Sequence, residues 1–165
     1  MMFYEEWSRP DEIFSSDACL TGCGGSFKGN LFHTVFPEFI LDDKLHVNCL
    51  ELLSIIVCLK MWALYIRGNR IRIMCDNKTS VTVINTGKSR NSFLQNCLKE
   101  LCFIAAIHEF EVCAVHLAGS ENRIADFLSR WHLSNEFKDK FYTSVDCNLH
   151  DYIVEDLFFK FTHDW

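Results

Sequence analysis

The sequence predicts an α/β domain built on a mixed β-sheet with helices on both faces. Three features lead there. The chain opens with short apolar runs separated by glycines, the pattern of antiparallel strands, and helical and period-two segments then alternate. The helix at 48–66 is apolar on most sides, which suits a central helix packed on a sheet and covered from outside.

Residues 1–11 read as a leader, with Pro10-Asp11 as a breaker before a short strand, Glu12-Ile13-Phe14-Ser15-Ser16-Asp17-Ala18. Thr21-Gly22-Cys23-Gly24-Gly25 reads as a tight turn. Ser26-Phe27-Lys28 and Leu31-Phe32-His33-Thr34-Val35-Phe36 follow as strands, and Gly29-Asn30 between them fits a two-residue hairpin. From Asn48 to Ile66, Leu50, Leu53, Val57, Met61 and Leu64 mark one apolar stripe, and Leu52, Ile55, Ile56 and Leu59 make the opposite side apolar too. Arg67-Gly68-Asn69 ends this helix.

Arg70-Ile71-Arg72-Ile73-Met74-Cys75-Asp76 alternates with period two, the pattern of a half-buried strand that delivers an acid to its end. Asn77-Lys78-Thr79-Ser80 suits the cap of a short helix running to Asn85, and Gly87-Lys88-Ser89-Arg90 is a basic loop. A longer helix occupies 93–108, a strand 111–117, a turn Gly119-Ser120, and a final helix 122–131 with Ile124, Ala125, Leu128 and Trp131 inward. One domain at 12–133 results, followed by a weakly patterned tail at 134–165. The aromatic end of that tail, Phe158-Phe159-Lys160-Phe161, suits either packing on the domain or a path to a missing neighbour.

Composition narrows the function classes. At 165 residues, 49% apolar and with two prolines, the chain is globular rather than disordered. Its most apolar stretch, 49–66, is interrupted by Glu51 and Lys60, so no membrane span is expected. The N-terminus lacks a basic region followed by an apolar one, and an intracellular protein of the cytoplasm or nucleus is expected. Nine cysteines without a C-x-x-C pair favour reduced, buried thiols; Cys19-x3-Cys23 lacks a second ligand pair for zinc. The net charge of −6 argues at first against nucleic acid, but residues 13–133 carry twelve bases against eleven acids. Four of those acids are candidate metal ligands, and with metals bound this body is electropositive near the site.

Those four are Asp17, Glu51, Asp76 and Asp126. Each is an anion at the edge of an otherwise apolar element, where desolvation is costly unless a cation or donor offsets it. Taken singly, each has a plain structural role open to it. Asp17 suits a turn beside glycines; Asn48-x-x-Glu51 is also a capping-box pattern; Asp76 suits a helix N-cap; Asp126 suits a solvated helical face. Taken together, strand-Asp, helix-Glu, strand-Asp and helix-Asp fall at element ends that a mixed sheet brings toward one mouth.

Over residues 12–133 the chain resembles ribonuclease H, in particular the retroelement branch fused to reverse transcriptases. The phrases that carry the resemblance are Asp17-Ala18-x-x-x-Gly22-x-Gly24-Gly25, Glu51-Leu52-Leu53, Cys75-Asp76-Asn77 and Asn122-x-x-Ala125-Asp126-x-Leu128-Ser129-Arg130, which look most like DIRS-type and related long-terminal-repeat elements. The resemblance implies five strands in the order 3-2-1-4-5 and hydrolysis of the RNA strand of RNA·DNA hybrids. It implies metal-ligand and catalytic roles for Asp17, Glu51, Asp76 and Asp126. Two Mg²⁺ ions about 4 Å apart, replaceable by Mn²⁺, would supply the chemistry. Asn77, Thr79 and Ser80 at a helix N-terminus, with Lys88 and Arg90, are the expected contacts to the substrate backbone.

Two departures stand out. No room exists before helix 93–108 for the extra basic helix of some cellular members, so hybrid affinity is expected to lean on a fused or associated reverse transcriptase domain. Ala118-Gly119-Ser120-Glu121 is short and lacks histidine, and His116 on the preceding strand reads as a packed strand residue. The rival reading is a catalytically silent module that acts as a structural tether or nucleic-acid-binding spacer.

Overall fold

The computed structural model describes residues 10–144 and the backbone of 150–151. The remaining parts of the leader and tail, with Cys147 and Phe158-Phe159-Lys160-Phe161, lie outside the described residues.

Strands β1 (Glu12–Ala18), β2 (Gly22–Phe27) and β3 (Asn30–Val35) form an antiparallel meander, and helices α1 (Glu38–Asp42) and α2 (Val47–Trp62) follow. Then come β4 (Arg70–Cys75), α3 (Lys78–Thr86), α4 (Ser92–His108), β5 (Glu111–His116), α5 (Arg123–Ser129), α6 (Asn135–Ser144) and the two-residue β6 (His150–Asp151). The sheet order is β5-β4-β1-β2-β3-β6, with β4 parallel to both β1 and β5. The five main strands thus take the expected order 3-2-1-4-5, and β6 adds a short parallel pairing outside β3.

Two local expectations are corrected. Gly22-Cys23-Gly24-Gly25 is part of strand β2 rather than a turn. Its glycines are there for close approach: a Cβ on Gly24 would lie 2.4 Å from Leu128 Cβ of α5, and one on Gly25 would lie 2.7 Å from Cys58 Sγ of α2. Adjacent strand residues point to opposite faces, so α5 and α2 cover opposite faces of the sheet. The hairpin turn is Lys28-Gly29, one residue earlier than expected, because Phe27 pairs with Asn30. Both turn residues have positive φ, 48° and 76°, as the primed turns that match strand twist require.

The core lies under α2. Trp62 meets the rings of Phe14, Phe27 and Phe32 at centroid distances of 5.8, 5.4 and 5.8 Å. Helix α4 packs on α2, and the partly buried pair Lys60–Glu100, at 3.0 Å, joins them. Strand β5 is an edge strand, and Asn85 of α3 satisfies both backbone groups of Ala114: its Nδ2 donates to Ala114 O at 2.8 Å and its Oδ1 accepts from Ala114 N at 2.9 Å. On the other face, Leu31, Leu128 and Phe141 form a small separate cluster that seats α6 on α5. Neither α1 nor α6 was expected, since both are short and only weakly patterned. Among the described residues no helix is long and apolar enough to cross a membrane.

Candidate active site

The site forms where two parallel strands end. Ser15 of β1 is the register partner of Met74 of β4, and Asp17 and Asp76 each stand two residues further on. Asp17 is held from both faces: its carbonyl accepts from Ser54 Oγ of α2 at 3.1 Å, and its Oδ2 accepts from Ser129 Oγ of α5 at 2.6 Å. Asn122, buried just before α5, donates through Nδ2 to the Ser16 carbonyl at 3.0 Å. These bonds register α5 against β1 and so fix Asp126 relative to Asp17.

Glu51 comes from the second turn of α2. The capping box suggested by Asn48-x-x-Glu51 is not made, because His46 is the N-cap and its Nδ1 accepts from Asn48 N at 3.1 Å. Glu51 instead accepts a backbone hydrogen bond from Ala18, at the end of β1. Ligand oxygens of Asp17, Glu51 and Asp76 all lie within 4.8 Å of one another. Asp76 is not a helix cap either: Asn77 caps α3, with Oδ1 accepting from Ser80 N at 2.8 Å.

Such a trio is strained as three anions. Burial, helped by repulsion from Asp76 and Asp126 and opposed by the Ser129 hydrogen bond, pushes Asp17 up to about 7. Burial and the charges of Asp17 and Asp76 push Glu51 up to about 9. Glu51 is only 4% exposed, and its Oε2 is buried without a hydrogen-bond partner. A buried carboxyl that has an oxygen without a donor and stands beside two more carboxylates is the arrangement that a divalent cation would satisfy. The donor set is all hard oxygen, which suits magnesium or manganese better than a soft metal.

Asp126 stands apart from the trio. It is 34% exposed and its Oδ1 accepts from Arg130 Nε at 2.8 Å, an i,i+4 ion pair along α5. Its charge still reaches Asp17. A groove of about 830 Å³ runs from Asp126 past Gly119, Arg123 and Phe127 to Lys140 of α6.

The expected substrate contacts separate into groups. Asn77 is half-buried, its Nδ2 donating to Asn48 Oδ1 at 2.8 Å while its Oδ1 caps α3, which leaves one amide proton for a substrate. Thr79 is half-buried beside it, whereas Lys88 and Arg90 are exposed on the α3–α4 loop. Ser80 is fully buried, so its hydroxyl faces the interior and does not reach an external strand. Asn91 caps α4 and its Oδ1 lies 3.9 Å from Cys49 Sγ, so with the Asn77–Asn48 bond the N-termini of α2, α3 and α4 lie together. Their partial positive charge favours anions there.

His116 is corrected from a packed strand residue to an exposed one, and its Nε2 donates to the Asp76 carbonyl at 3.2 Å. The following loop passes close by, since a Cβ on Gly119 would lie 3.1 Å from Asp76 Oδ2. Sequence reasoning assigned no role to Ser129, Asn122 or Arg130. The Asp126–Arg130 spacing was readable as an i,i+4 pair, while the Ser129 and Asn122 bonds span more than 100 residues and carry no local signal.

No family model matches the chain, and no curated protein matches it. Among solved structures it is similar to RNase H1 from the halophilic archaeon Halobacterium salinarum NRC-1, at 14% identity and a TM-score of 0.55, over 81% of this chain and 99% of that one. It is also similar to the N-terminal RNase H domain of a Mycobacterium tuberculosis protein, solved as a fusion protein with maltose-binding protein, at 12% identity and a TM-score of 0.51, again over 81% and 99%. At these identities the likeness shows an RNase H-like fold.

Proposed function

We propose that the chain is a metal-dependent endoribonuclease that hydrolyses the RNA strand of RNA·DNA hybrids. The observation that carries this reading is the buried Glu51 carboxyl, with Oε2 unpartnered, grouped within ligand distance of Asp17 and Asp76 at the end of the β1–β4 pair. The RNase H names of both structural neighbours support it.

In this reading Asp17, Glu51 and Asp76 hold one divalent ion, and Asp126 with Asp17 holds a second. Bound divalent ions would supply an activated water and neutralise charge on the phosphate and leaving oxygen. The protein's own groups do the positioning. Ser54 and Ser129 fix Asp17 at its carbonyl and carboxylate, and the Ala18 N–H orients Glu51. His116 holds the carbonyl of Asp76. Asn77 and Thr79 at the start of α3, with Lys88 and Arg90 beyond it, are the proposed contacts to the hybrid backbone. The 2′-hydroxyl, both donor and acceptor, is what would distinguish RNA from DNA.

We assign the chain to a retroelement origin, with a reverse transcriptase domain as fused or associated partner, on the phrases around Asp17, Glu51, Asp76 and Asp126. The test is cleavage of a labelled RNA·DNA hybrid with Mg²⁺ or Mn²⁺. Cleavage by the folded chain, lost in Asp76→Asn, is expected. A folded chain that leaves the hybrid intact, or a variant that cleaves equally well, favours the silent tether instead.

A further inference from the structure

Arg130 is a cation that the site already contains. Its Nε lies 2.8 Å from Asp126 Oδ1, and its guanidinium sits over the Phe137 ring of α6, 5.9 Å from the centroid. The last turn of α5 therefore treats two acids differently. Ser129 gives Asp17 a neutral hydroxyl donor, whereas the next residue gives Asp126 a full positive charge. Asp17, Glu51 and Asp76 share one small space, have no ion-pair partner among the described residues, and leave Glu51 Oε2 without a donor. Asp126 lies outside that space and is already neutralised by its own helix.

We propose that Arg130 is a built-in competitor for the second divalent ion: one ion binds at Asp17, Glu51 and Asp76, and an ion at Asp126 binds only by displacing Arg130. The inference rests on the metal-dependent reading above. The displacement is feasible on physical grounds. An exposed i,i+4 ion pair is weak and screened, so a doubly charged ion can outcompete it. The Phe137 face is already in contact with the guanidinium, and a cation above an aromatic ring keeps part of its stabilisation after leaving a carboxylate. Arg130 also favours the charged form of Asp17, so its field reaches both acids that the second ion would touch. Arg130 acts here as a positioning residue: it makes the two ions unequal and orders their loading.

Mn²⁺ binding to the full chain, followed by calorimetry and by the electron-spin signal of free Mn²⁺, tests this without reference to cleavage. Wild type is expected to bind one ion tightly and one weakly, with Asp126→Asn removing only the weak one. Arg130→Gln is expected to tighten the weak ion about three- to tenfold, the effect of removing one positive charge a few ångströms from a divalent ion in a solvated site. Arg130→Lys, which keeps the charge, should stay near wild type. An unchanged or weakened second ion in Arg130→Gln overturns the competitor role while leaving the nuclease reading intact. Two equally tight ions in wild type also overturn it. A folded wild type that binds no Mn²⁺ overturns the metal reading and this inference together.

Discussion

Ser129 Oγ donates to Asp17 Oδ2 across 2.6 Å, joining the last turn of α5 to the end of β1. Both residues are buried, and the same hydroxyl lies 2.9 Å from the Asp126 carbonyl, so its single proton is shared between two acceptors. Ser129→Ala removes the hydrogen bond that holds the Asp17 carboxyl down, so the Asp17 pKa rises further above about 7. An unsatisfied buried acceptor costs about 1–3 kcal/mol. The variant is expected to unfold at lower denaturant and to require higher pH for the same Mn²⁺ occupancy. Identical pH profiles for metal binding would remove Ser129 from the site.

The raised acids make a second prediction, in solution without metal. Between their ordinary values, near 4, and their folded values of about 7 and 9, Asp17 and Glu51 bind more protons folded than unfolded. Stability then falls as pH rises, by an amount on the order of a few kcal/mol across that window. Thermal unfolding in EDTA should show a decreasing melting temperature from pH 5 to pH 9. Added Mg²⁺ or Mn²⁺ should restore it, and more at pH 8.5 than at pH 5, because coordination needs the deprotonated carboxylates. A flat profile in EDTA would contradict the raised values.

What could be read from the sequence follows from range of interaction. Strand β4 and helices α2 and α4 were readable because Arg70–Cys75 alternates and the helices carry apolar residues at helical spacing. Strand β2 is hidden in the sequence because Gly22, Gly24 and Gly25 are local turn signals, and only the close packing of His132, Leu128 and Cys58 against them accounts for glycine within a strand. At the site, the four acids were visible as element ends. Their inequality was not: it depends on Glu51 losing its capping role to His46 and on Arg130 claiming Asp126.

The same glycines give a third prediction. A Cβ on Gly24 would sit 2.4 Å from Leu128 Cβ and 2.8 Å from the Leu128 carbonyl carbon, atoms of a helix rather than of a flexible chain end. Gly24→Ala must therefore push α5 off β2, at a cost of about 1–3 kcal/mol or more for overpacking. Because α5 carries Asp126 and Ser129, the variant should lose hybrid cleavage beyond its loss of stability. Gly29→Ala, with open space around its Cβ, is the control: its φ of 76° makes it strained, but it leaves α5 in place. Equal effects on cleavage per folded molecule in the two variants would count against α5 seating as the cause.

Glu51→Gln separates stability from function most sharply. At pH 8 folding without metal requires Glu51 to take up a proton, since its value rises to about 9 in the folded chain and lies near 4.5 when unfolded. Glutamine has no such requirement, keeps an oxygen for the Ala18 N–H, and offers its amide protons to the carboxylates of Asp17 and Asp76. The variant should be more stable than wild type in EDTA at pH 8, with a smaller gain at pH 5, where wild-type Glu51 is closer to neutral in both states. It should also lose the tight Mn²⁺ ion and, with it, the stabilisation by metal. Calorimetric unfolding at the two pH values, with EDTA and with Mn²⁺, gives all four comparisons. A Glu51→Gln protein destabilised equally at both pH values would mean that Glu51 is an ordinary structural acid whose burial carries no stored repulsion.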